Sequence, residues 1–350
     1  MAHIIAIANQ KGGVGKTTTA VNLAASLAVA EQRTLLIDGD PQGNATSGVG
    51  LEGEQLTRTV YDALIGQVSL DQVILRAIQF AHLDVAPTTP DLAGAEIELI
   101  DREDRELAMR DAIAPIRERY DYILIDCPPS LGLLTINMLS AADSVLIPVQ
   151  CEYYALEGLS QLLNTVHRIQ QSVNQKLAID GVLLTMYDAR LNLSRQVVTD
   201  AREYFGPKVF ETIVPRNVRL AEAPSFGKPI VLYDIASVGA QAYLSVAREV
   251  VQRHALGARR SAEQEPQEHT SVEGTSAEHV SNEHVSNEHD SDEHVSDEHV
   301  PTEVVLEQTL PTQTNTAPLA DLRTPSAPDI MLDPSPHPQR PVDEQQAEST

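Results

Sequence analysis

Apolar runs alternate with longer amphipathic stretches over the first 254 residues of the chain. The runs predict six strands, at residues 3–8, 33–37, 83–86, 122–125, 144–149 and 181–186. Helical periodicity predicts helices at residues 18–30, 104–119, 133–141, 156–173, 196–205 and 239–254. Because strands that are apolar throughout are buried on both faces, the alternation indicates an α/β fold with a mostly parallel sheet flanked by helices.

The composition changes after residue 256, where Glu, Ser, Pro, Thr and His replace the apolar runs. Residues 257–350 hold 20 acidic and 4 basic side chains, so −16 of the chain's net charge of −25 lies there. Five-residue units such as EHVSN repeat from Glu268, a period that suits neither a helix face nor a strand. We predict a folded domain at 1–256 and a disordered acidic tail at 257–350. The repeated histidines of the tail allow weak metal binding, but a solvated spacer is the simpler interpretation.

Cys127 and Cys151 are the only cysteines, and each lies at the end of an apolar run. Two cysteines are too few for a disulfide framework, so we expect both thiols to be reduced and buried. No stretch approaches the roughly 20 apolar residues of a membrane span, and the first residues do not resemble a secretory signal. The sequence therefore predicts a cytoplasmic protein with no membrane partner.

A glycine-rich segment, QKGGVGKTTT at residues 10–19, lies between the first predicted strand and the first predicted helix. Its glycines let successive backbone N–H groups point at phosphate oxygens, and the helix N-terminus adds its positive dipole end. Lys16 can reach the β- and γ-phosphates, and the Thr17 hydroxyl can ligate Mg²⁺. We predict a phosphate-binding loop made of Lys11, Gly12, Gly13, Val14, Gly15, Lys16, Thr17 and Thr18.

This loop departs from the usual phosphate-binding pattern. Gln10 stands where that pattern has its first glycine, and a second lysine, Lys11, follows it. A KGGVGKTT loop resembles the deviant Walker A motif of the ParA/MinD group of dimerising ATPases. The resemblance implies that ATP is the ligand, that ATP binding produces a homodimer, and that Lys11 reaches across the dimer interface to the partner's nucleotide.

Three aspartates follow predicted strands whose carboxyl ends meet at one edge of the sheet. Asp126 comes after the fourth strand, where a Walker B carboxylate would hold Mg²⁺ together with Thr17. Asp38 and Asp40 follow the second strand, and one of them can orient water. No glutamate stands at an obvious general-base position, which suits slow hydrolysis based on positioning and charge neutralisation. For Asp38, a structural turn carboxylate and a direct role remain about equally open.

The resemblance covers nearly all of residues 3–254 and is closest to the ParA/Soj family of chromosome-partitioning proteins. It is carried by DPQGNATSG at 40–48, DCPPSLGLLTIN at 126–137, PVQCEYYALEG at 148–158, LLTMYDAR at 183–190 and PRNVRLAEAPSFGKPI at 215–230. It implies a P-loop ATPase in which Lys11, Lys16 and Asp40 are catalytic and Pro215 and Asn217 contact adenine. It also implies a ParB/Spo0J-type partner that stimulates hydrolysis, and a location on the nucleoid.

Residues 190–228 carry seven basic and four acidic side chains, whereas residues 1–256 have a net charge of −9. Such a patch can hold DNA phosphates without reading bases. From composition alone, a solvated basic face and a DNA surface are equally open. Arg190 and Arg219 match the two arginines that the family resemblance implicates in non-specific DNA binding.

Four other kinds of protein are alternatives to this hypothesis. A MinD-like positioning ATPase needs a basic amphipathic C-terminal helix for lipid, whereas the last predicted helix leads into residues 258–260 and the acidic tail. The nitrogenase iron protein needs exposed cluster cysteines, and a cobyrinic acid diamide synthetase is expected to carry a further glutaminase-like domain. A transcription regulator needs an N-terminal helix-turn-helix, for which a strand at residue 3 leaves no room.

Overall fold

The computed structural model describes residues 1–52, 56–152 and 159–264, and six parallel strands form its central sheet. In chain order the strands are β1 (His3–Ile7), β2 (Thr34–Asp38), β3 (Leu83–Ala86), β4 (Tyr122–Asp126), β5 (Ser144–Gln150) and β6 (Ala178–Thr185). Their spatial order is β3-β2-β4-β1-β5-β6. The two strands that precede the predicted catalytic loops, β1 and β2, therefore both border β4.

The α-helices of the described residues lie between and after these strands. They are α1 (Lys16–Val29), α2 (Asn44–Gly48), α3 (Val60–Leu64), α4 (Ala95–Glu98), α5 (Ala108–Ile113), α6 (Leu133–Ala141), α7 (Leu159–Gln171), α8 (Asn192–Phe205), α9 (Val218–Glu222), α10 (Ile230–Tyr233) and α11 (Val238–Gln264). The short helices α2 and α9 follow segments that carry predicted site residues.

The two faces of the sheet are covered by different helices, because successive strand residues point to opposite sides. Ile5 and Ile7 of β1 belong to one buried cluster, together with residues of α1 and α11. Ile4 and Ala6 belong to a second cluster, together with residues of α5, α6 and α7. All four side chains are almost fully buried, so the fold is a sheet between two helical layers, as predicted.

The observed elements differ from the predicted ones mainly at their ends. The helix predicted at 104–119 is divided, because Pro115 lacks the N–H that would bond to the carbonyl of Asp111; α5 ends at Ile113 and a 3-10 turn follows. Helix α11 continues to Gln264, past the predicted end at residue 254. Most of the predicted tail, residues 265–350, lies outside the described residues.

Cys127 and Cys151 are buried free thiols, as the sequence predicted. Burial raises the pKa of the Cys151 thiol to about 12, so it is a neutral packing group at pH 7. None of the helices in the described residues combines the length and apolarity needed to cross a bilayer.

Candidate functional site

The loop between β1 and α1 forms an open cradle at the carboxyl edge of the sheet. Gly13 and Gly15 have φ values of +75° and +89°, a left-handed conformation that favours glycine. A Cβ atom at Gly12 or Gly13 would meet nothing within 4 Å, so this side of the loop is free to receive a ligand. The predicted phosphate-binding residues from Lys11 to Thr18 thus all lie along this turn and the first turn of α1.

Hydrogen bonds to strands β5 and β6 hold this loop in place. The Asn9 amide donates to the carbonyl of Pro148 at 2.7 Å, and its Oδ1 accepts a hydrogen bond from the Lys11 N–H at 3.0 Å. The Thr185 hydroxyl of β6 donates to the Val14 carbonyl at 2.8 Å. The backbone of the cradle is therefore fixed by β5 and β6 as well as by its own strand and helix.

Lys16 and Asp126 form the charged centre of the site, and both are buried. The Lys16 ammonium donates to the Lys11 carbonyl at 3.3 Å. Burial lowers the pKa of Lys16, although the carboxylates of Asp126 and Asp40 oppose this shift. Because both side chains are buried, each charge needs an opposite charge or hydrogen bonds to replace its lost hydration.

Neither carboxylate oxygen of Asp126 has a hydrogen-bond partner among the described residues. Burial, followed by the charge of Asp38, raises the pKa of Asp126 well above its ordinary value. The Thr17 hydroxyl is close enough to lower this pKa but makes no hydrogen bond to the carboxylate. A buried carboxylate with two free oxygens and a hydroxyl beside it is a donor set that fits Mg²⁺, because hard oxygen ligands suit this ion.

Asp38 and Asp40 have different surroundings. Asp38 is fully buried and accepts hydrogen bonds from the Thr46 N–H and hydroxyl, both at 2.7 Å, and from the Asp40 N–H at 3.2 Å. Burial raises the pKa of Asp38 to about 6, and the Thr46 hydrogen bonds oppose this shift. Asp40 uses Oδ1 to accept from the Gln42 N–H at 3.0 Å. The structure therefore favours a structural role for Asp38, which fixes α2, and keeps Asp40 as the candidate for orienting water.

Pro215 and Asn217 line a largely apolar cleft of about 230 Å³ beside the loop. Gly15, Thr18 and Tyr243 are among the other lining residues. The Asn217 Oδ1 also accepts from the Leu220 N–H at 3.3 Å, so this side chain caps α9. The predicted base-binding residues thus lie next to the phosphate cradle, across a cleft with apolar walls, which suits an aromatic base.

Two glycines join the loop after α2 to the loop after α9 by direct backbone contact. A Cβ atom at Gly50 would lie 2.9 Å from the Gly227 carbonyl oxygen, and one at Gly227 would lie 2.6 Å from Gly50 Cα. The Gln79 amide donates to the carbonyls of Val49 and Gly227, both at 2.6 Å. The segment after Asp40 and the segment after Asn217 are therefore tied together.

Arg190 and Arg219 are exposed, but each is paired with carboxylates. The Arg190 guanidinium donates to both oxygens of Asp188, at 2.9 and 2.6 Å. The Arg219 guanidinium donates to Glu222 at 3.0 Å and lies 3.6 Å from Asp234. The local excess of positive charge is thus smaller than the sequence count over 190–228 indicates.

Other residues of the site gave little or no signal in the sequence. Tyr243 reaches the cleft from α11, where its hydroxyl is 3.1 Å from that of Thr19. Met186, directly after β6, lines the same cleft with a φ of +51°, a conformation that non-glycine residues rarely adopt. Of these residues, only Asn9 could have been identified from the sequence, because it is a polar residue between an apolar strand and the glycine loop.

Comparison with known proteins gives a consistent set of relatives. Residues 2–179 match the family model described as AAA domain. The chain is 59% identical over 253 residues to the chromosome partitioning protein ParA of Myxococcus xanthus, which covers 72% of this chain and 89% of that protein. It is also 59% identical over 250 residues to the sporulation initiation inhibitor protein Soj of Bacillus subtilis, over 71% of this chain and 98% of that protein.

Solved structures with similar folds include nucleotide complexes. Cobyrinic acid a,c-diamide synthase from Mycobacterium smegmatis, with bound ADP and magnesium, is 36% identical and has a TM-score of 0.65, over 73% of this chain and 97% of that one. The septum site-determining protein MinD of Pyrococcus horikoshii, complexed with Mg-ADP, is 26% identical with a TM-score of 0.60, over 73% of this chain and 98% of that one. These neighbours confirm the predicted fold class.

Proposed function

This chain belongs to the ParA/Soj family of chromosome-partitioning ATPases, and from that premise we propose that it is a nucleotide-controlled DNA-binding switch. In this proposal, an ATP-bound sandwich dimer holds DNA without sequence preference, and slow Mg²⁺-dependent hydrolysis releases it. A ParB/Spo0J-type partner accelerates the hydrolysis. The observation that carries the proposal is the buried Lys16 ammonium next to the open glycine cradle and the unpartnered Asp126 carboxylate.

ATP and Mg²⁺ are the predicted cofactors, and ADP and ATP analogues with magnesium are present in solved relatives. In this chain, we assign phosphate binding to the N–H groups of the loop and to Lys16. Asp126 and Thr17 would hold Mg²⁺, which neutralises phosphate charge when it is bound. Pro215 and Asn217 would contact the base from the other wall of the cleft. The pairing of an open cradle with an orphaned buried carboxylate supports this assignment.

Lys11 is assigned a role across the proposed dimer. Its backbone contributes to the cradle, because its N–H is bound by Asn9 and its carbonyl accepts from Lys16. Its side chain is partly exposed. Since Lys16 already serves the nucleotide of its own subunit, a second lysine at the rim is available for the phosphates of a facing subunit.

The proposed DNA surface includes Arg190 and Arg219. Exposed ion pairs contribute little to stability, since they are screened by water and salt. A phosphate can therefore compete for these guanidinium groups at small energetic cost. Lys228 is less suited to this surface, because it lines a cleft together with Thr17 and Asn44 of the nucleotide region.

Replacing Arg190 by Glu is expected to weaken DNA binding equally on unrelated sequences and to leave ATP-driven dimerisation unchanged. Phosphate contacts carry no base information, and each lost contact lowers the log–log salt slope by about 0.9 for duplex DNA. Binding titrations at several salt concentrations measure this slope. Arg33→Glu is the matched control, because Arg33 is also exposed and bidentate, paired with Asp121, but lies at the opposite edge of the sheet. A loss restricted to one DNA sequence would contradict the non-specific surface.

Residues 265–350, which contain 19 acidic and 2 basic side chains, are expected to weaken DNA binding at low salt. Their charge repels phosphate and attracts the arginines of the proposed surface, and salt screens both effects. Deleting them should therefore increase affinity at low ionic strength, with a difference that shrinks as salt rises. A full-length variant with the acidic side chains of the repeats changed to Gln or Asn is the control for length. Equal affinities of all three proteins at low salt would contradict this role.

The experiment that tests the proposed function is ATP turnover by the full-length chain. We expect slow turnover of the protein alone and faster turnover when non-specific DNA and a ParB-type partner are both present. Light scattering with ATP and with ADP tests dimerisation in the same samples. Turnover that neither DNA nor the partner changes would contradict the switch.

A metabolic role is the main alternative, because one solved neighbour is a cobyrinic acid a,c-diamide synthase. The expectation that such an enzyme carries an extra glutaminase-like domain does not exclude this role, since the similarity covers 97% of that chain. Sequence identity favours partitioning, at 59% to ParA and Soj proteins against 36% to the synthase. ATP-dependent amidation of a cobyrinate by this protein would instead support the metabolic role.

A further inference from the structure

A second group of polar side chains lies at the amino-terminal edge of the sheet, away from the nucleotide cleft. His3 begins β1, Asp180 lies near the start of β6, and His254 belongs to α11. One nitrogen or oxygen atom from each of the three lies within 4.8 Å of those from the other two. Three distant parts of the sequence therefore bring two imidazoles and one carboxylate together, a convergence that the proposed ATPase function does not use.

Asp180 lies in a β-bulge, outside the regular pairing of β5 with β6. The register between β5 and β6 pairs Val145 with Ile179 and then Leu146 with Gly181, so Asp180 is the extra residue of a bulge. Bulges re-aim side chains and are frequent beside functional sites. Here the bulge directs the Asp180 carboxylate, which is 6% exposed, toward His254.

The hydrogen bonds of the group leave two buried polar atoms without partners. His254 Nε2 and Asp180 Oδ1 are hydrogen-bonded at 2.7 Å, which leaves the other ring nitrogen, Nδ1, outside this bond. This Nδ1 and the Asp180 Oδ2 are both buried and have no hydrogen-bond partner among the residues described. His3 Nε2 is hydrogen-bonded to the Ser144 hydroxyl at 2.9 Å, and its ring centroid lies 3.8 Å from that of His254.

The two arginines near this group are paired with carboxylates other than Asp180. Arg253 donates to the backbone carbonyl of Asp180 at 3.4 Å, but its guanidinium is paired with Glu249 at 2.7 Å. Arg117 is paired with Asp143 at 2.6 Å. Since each of these arginines is paired with another carboxylate, Asp180 has no arginine or lysine ion-pair partner of its own among the described residues, and His254 is its ionisable neighbour.

We propose that His3, Asp180 and His254 form a binding site for a divalent transition-metal ion of the zinc type. Two imidazoles and one carboxylate are ligands that suit zinc, whereas Mg²⁺ prefers oxygen atoms alone. Ligand atoms around a tetrahedral zinc ion lie about 3.3 Å apart. The ligand atoms of the three side chains lie within 4.8 Å of one another, so modest side-chain rotations would bring them to that spacing. The bound ion would connect β1, β6 and α11 on the side of the sheet remote from the nucleotide.

Cobalt(II) and zinc(II) are the probes that test this site in the full-length protein. Chelator-treated wild-type protein is expected to develop the visible absorption of tetrahedral cobalt with one equivalent of Co²⁺ and to lose it when Zn²⁺ is added. Zinc at about 100 times its dissociation constant is expected to raise the melting temperature by about 5 °C. His254→Ala should abolish both responses.

Matched variants separate this site from other histidines. His3→Gln keeps an amide that can bond to Ser144 and removes the imidazole, so it tests the ligand role if His254→Ala proves unstable. His82→Ala changes an exposed histidine outside the group, and a variant with the tail histidines 269, 279, 284, 289, 294 and 299 changed to Asn tests the repeats. Both are expected to retain the cobalt absorption and the melting shift. The proposal is overturned if folded His3→Gln responds like wild type, or if only the tail variant loses the responses.

Discussion

Lys16→Ala is expected to reduce ATP affinity by roughly 100-fold or more. The substitution removes the charged donor of the cradle and leaves the buried Asp126 carboxylate without its nearest cation, and charged hydrogen bonds of this kind are worth about 1.5–3 kcal/mol each. Isothermal titration with ATP and Mg²⁺ measures the loss. Lys176→Ala, which changes an exposed lysine in the loop after α7, is the control and should bind like wild type.

Lys11→Ala is the matched comparison within the same loop. It should retain much of the ATP affinity, because the Lys11 contacts within its own subunit are made by the backbone. It should fail to dimerise with ATP, which light scattering detects. ATP-driven dimerisation of this variant at the wild-type level would show that Lys11 has no role across the dimer.

Asp40→Ala is expected to bind ATP and to hydrolyse it roughly 100-fold more slowly, so that a stable ATP dimer accumulates. An acid or base that positions water contributes about 10²- to 10⁴-fold to such reactions, whereas the cradle is formed by other residues. Among the described residues, Asp40 Oδ1 accepts one hydrogen bond, from the N–H of Gln42, so the fold depends little on this carboxylate. Single-turnover hydrolysis together with ATP titration separates the two effects.

Asp126→Ala provides the contrast for the Asp40 variant. It should lose the part of the ATP affinity that depends on Mg²⁺, because the two free oxygens of Asp126 are the proposed metal ligands. If the Asp40 variant also lost Mg²⁺-dependent affinity, Asp40 would have to be assigned to metal binding. If the Asp126 variant bound Mg-ATP normally, the assignment of the metal site would be wrong.

The layered fold could be predicted because its strands are mostly apolar and helices such as α7 and α8 are strongly amphipathic. The short helices could not, because a helix of about one turn has little stability of its own and depends on tertiary contacts. Helix α2 is an example, since the buried Asp38 carboxylate accepts hydrogen bonds from the N–H and hydroxyl of Thr46. Nothing in the local sequence of residues 44–48 predicts that partner.

Within the site, the contiguous loop was visible in the sequence, but some of the distant side chains that contact it were not. Thr185 and Tyr243 come from elements that follow the loop by more than 150 residues, so only the fold brings them to it. The charge count over residues 190–228 also missed the partner of Arg190, because Asp188 lies two residues before that range. The net charge of a sequence segment is therefore a poor guide to the charge of the surface it forms, because residues just outside the segment can pair with residues inside it.

The contact between Gly50 and Gly227 has a consequence for how the cleft can respond to its ligand. Two main chains that touch without side chains between them cannot be separated by rotamer changes, and the Gln79 amide donates to the carbonyls of Val49 and Gly227. We therefore expect a displacement of residues 40–50 to move residues 217–227 as well. If Asp40 and Asn217 have the roles proposed for them, loss of the terminal phosphate and loosening of the base would then be coupled.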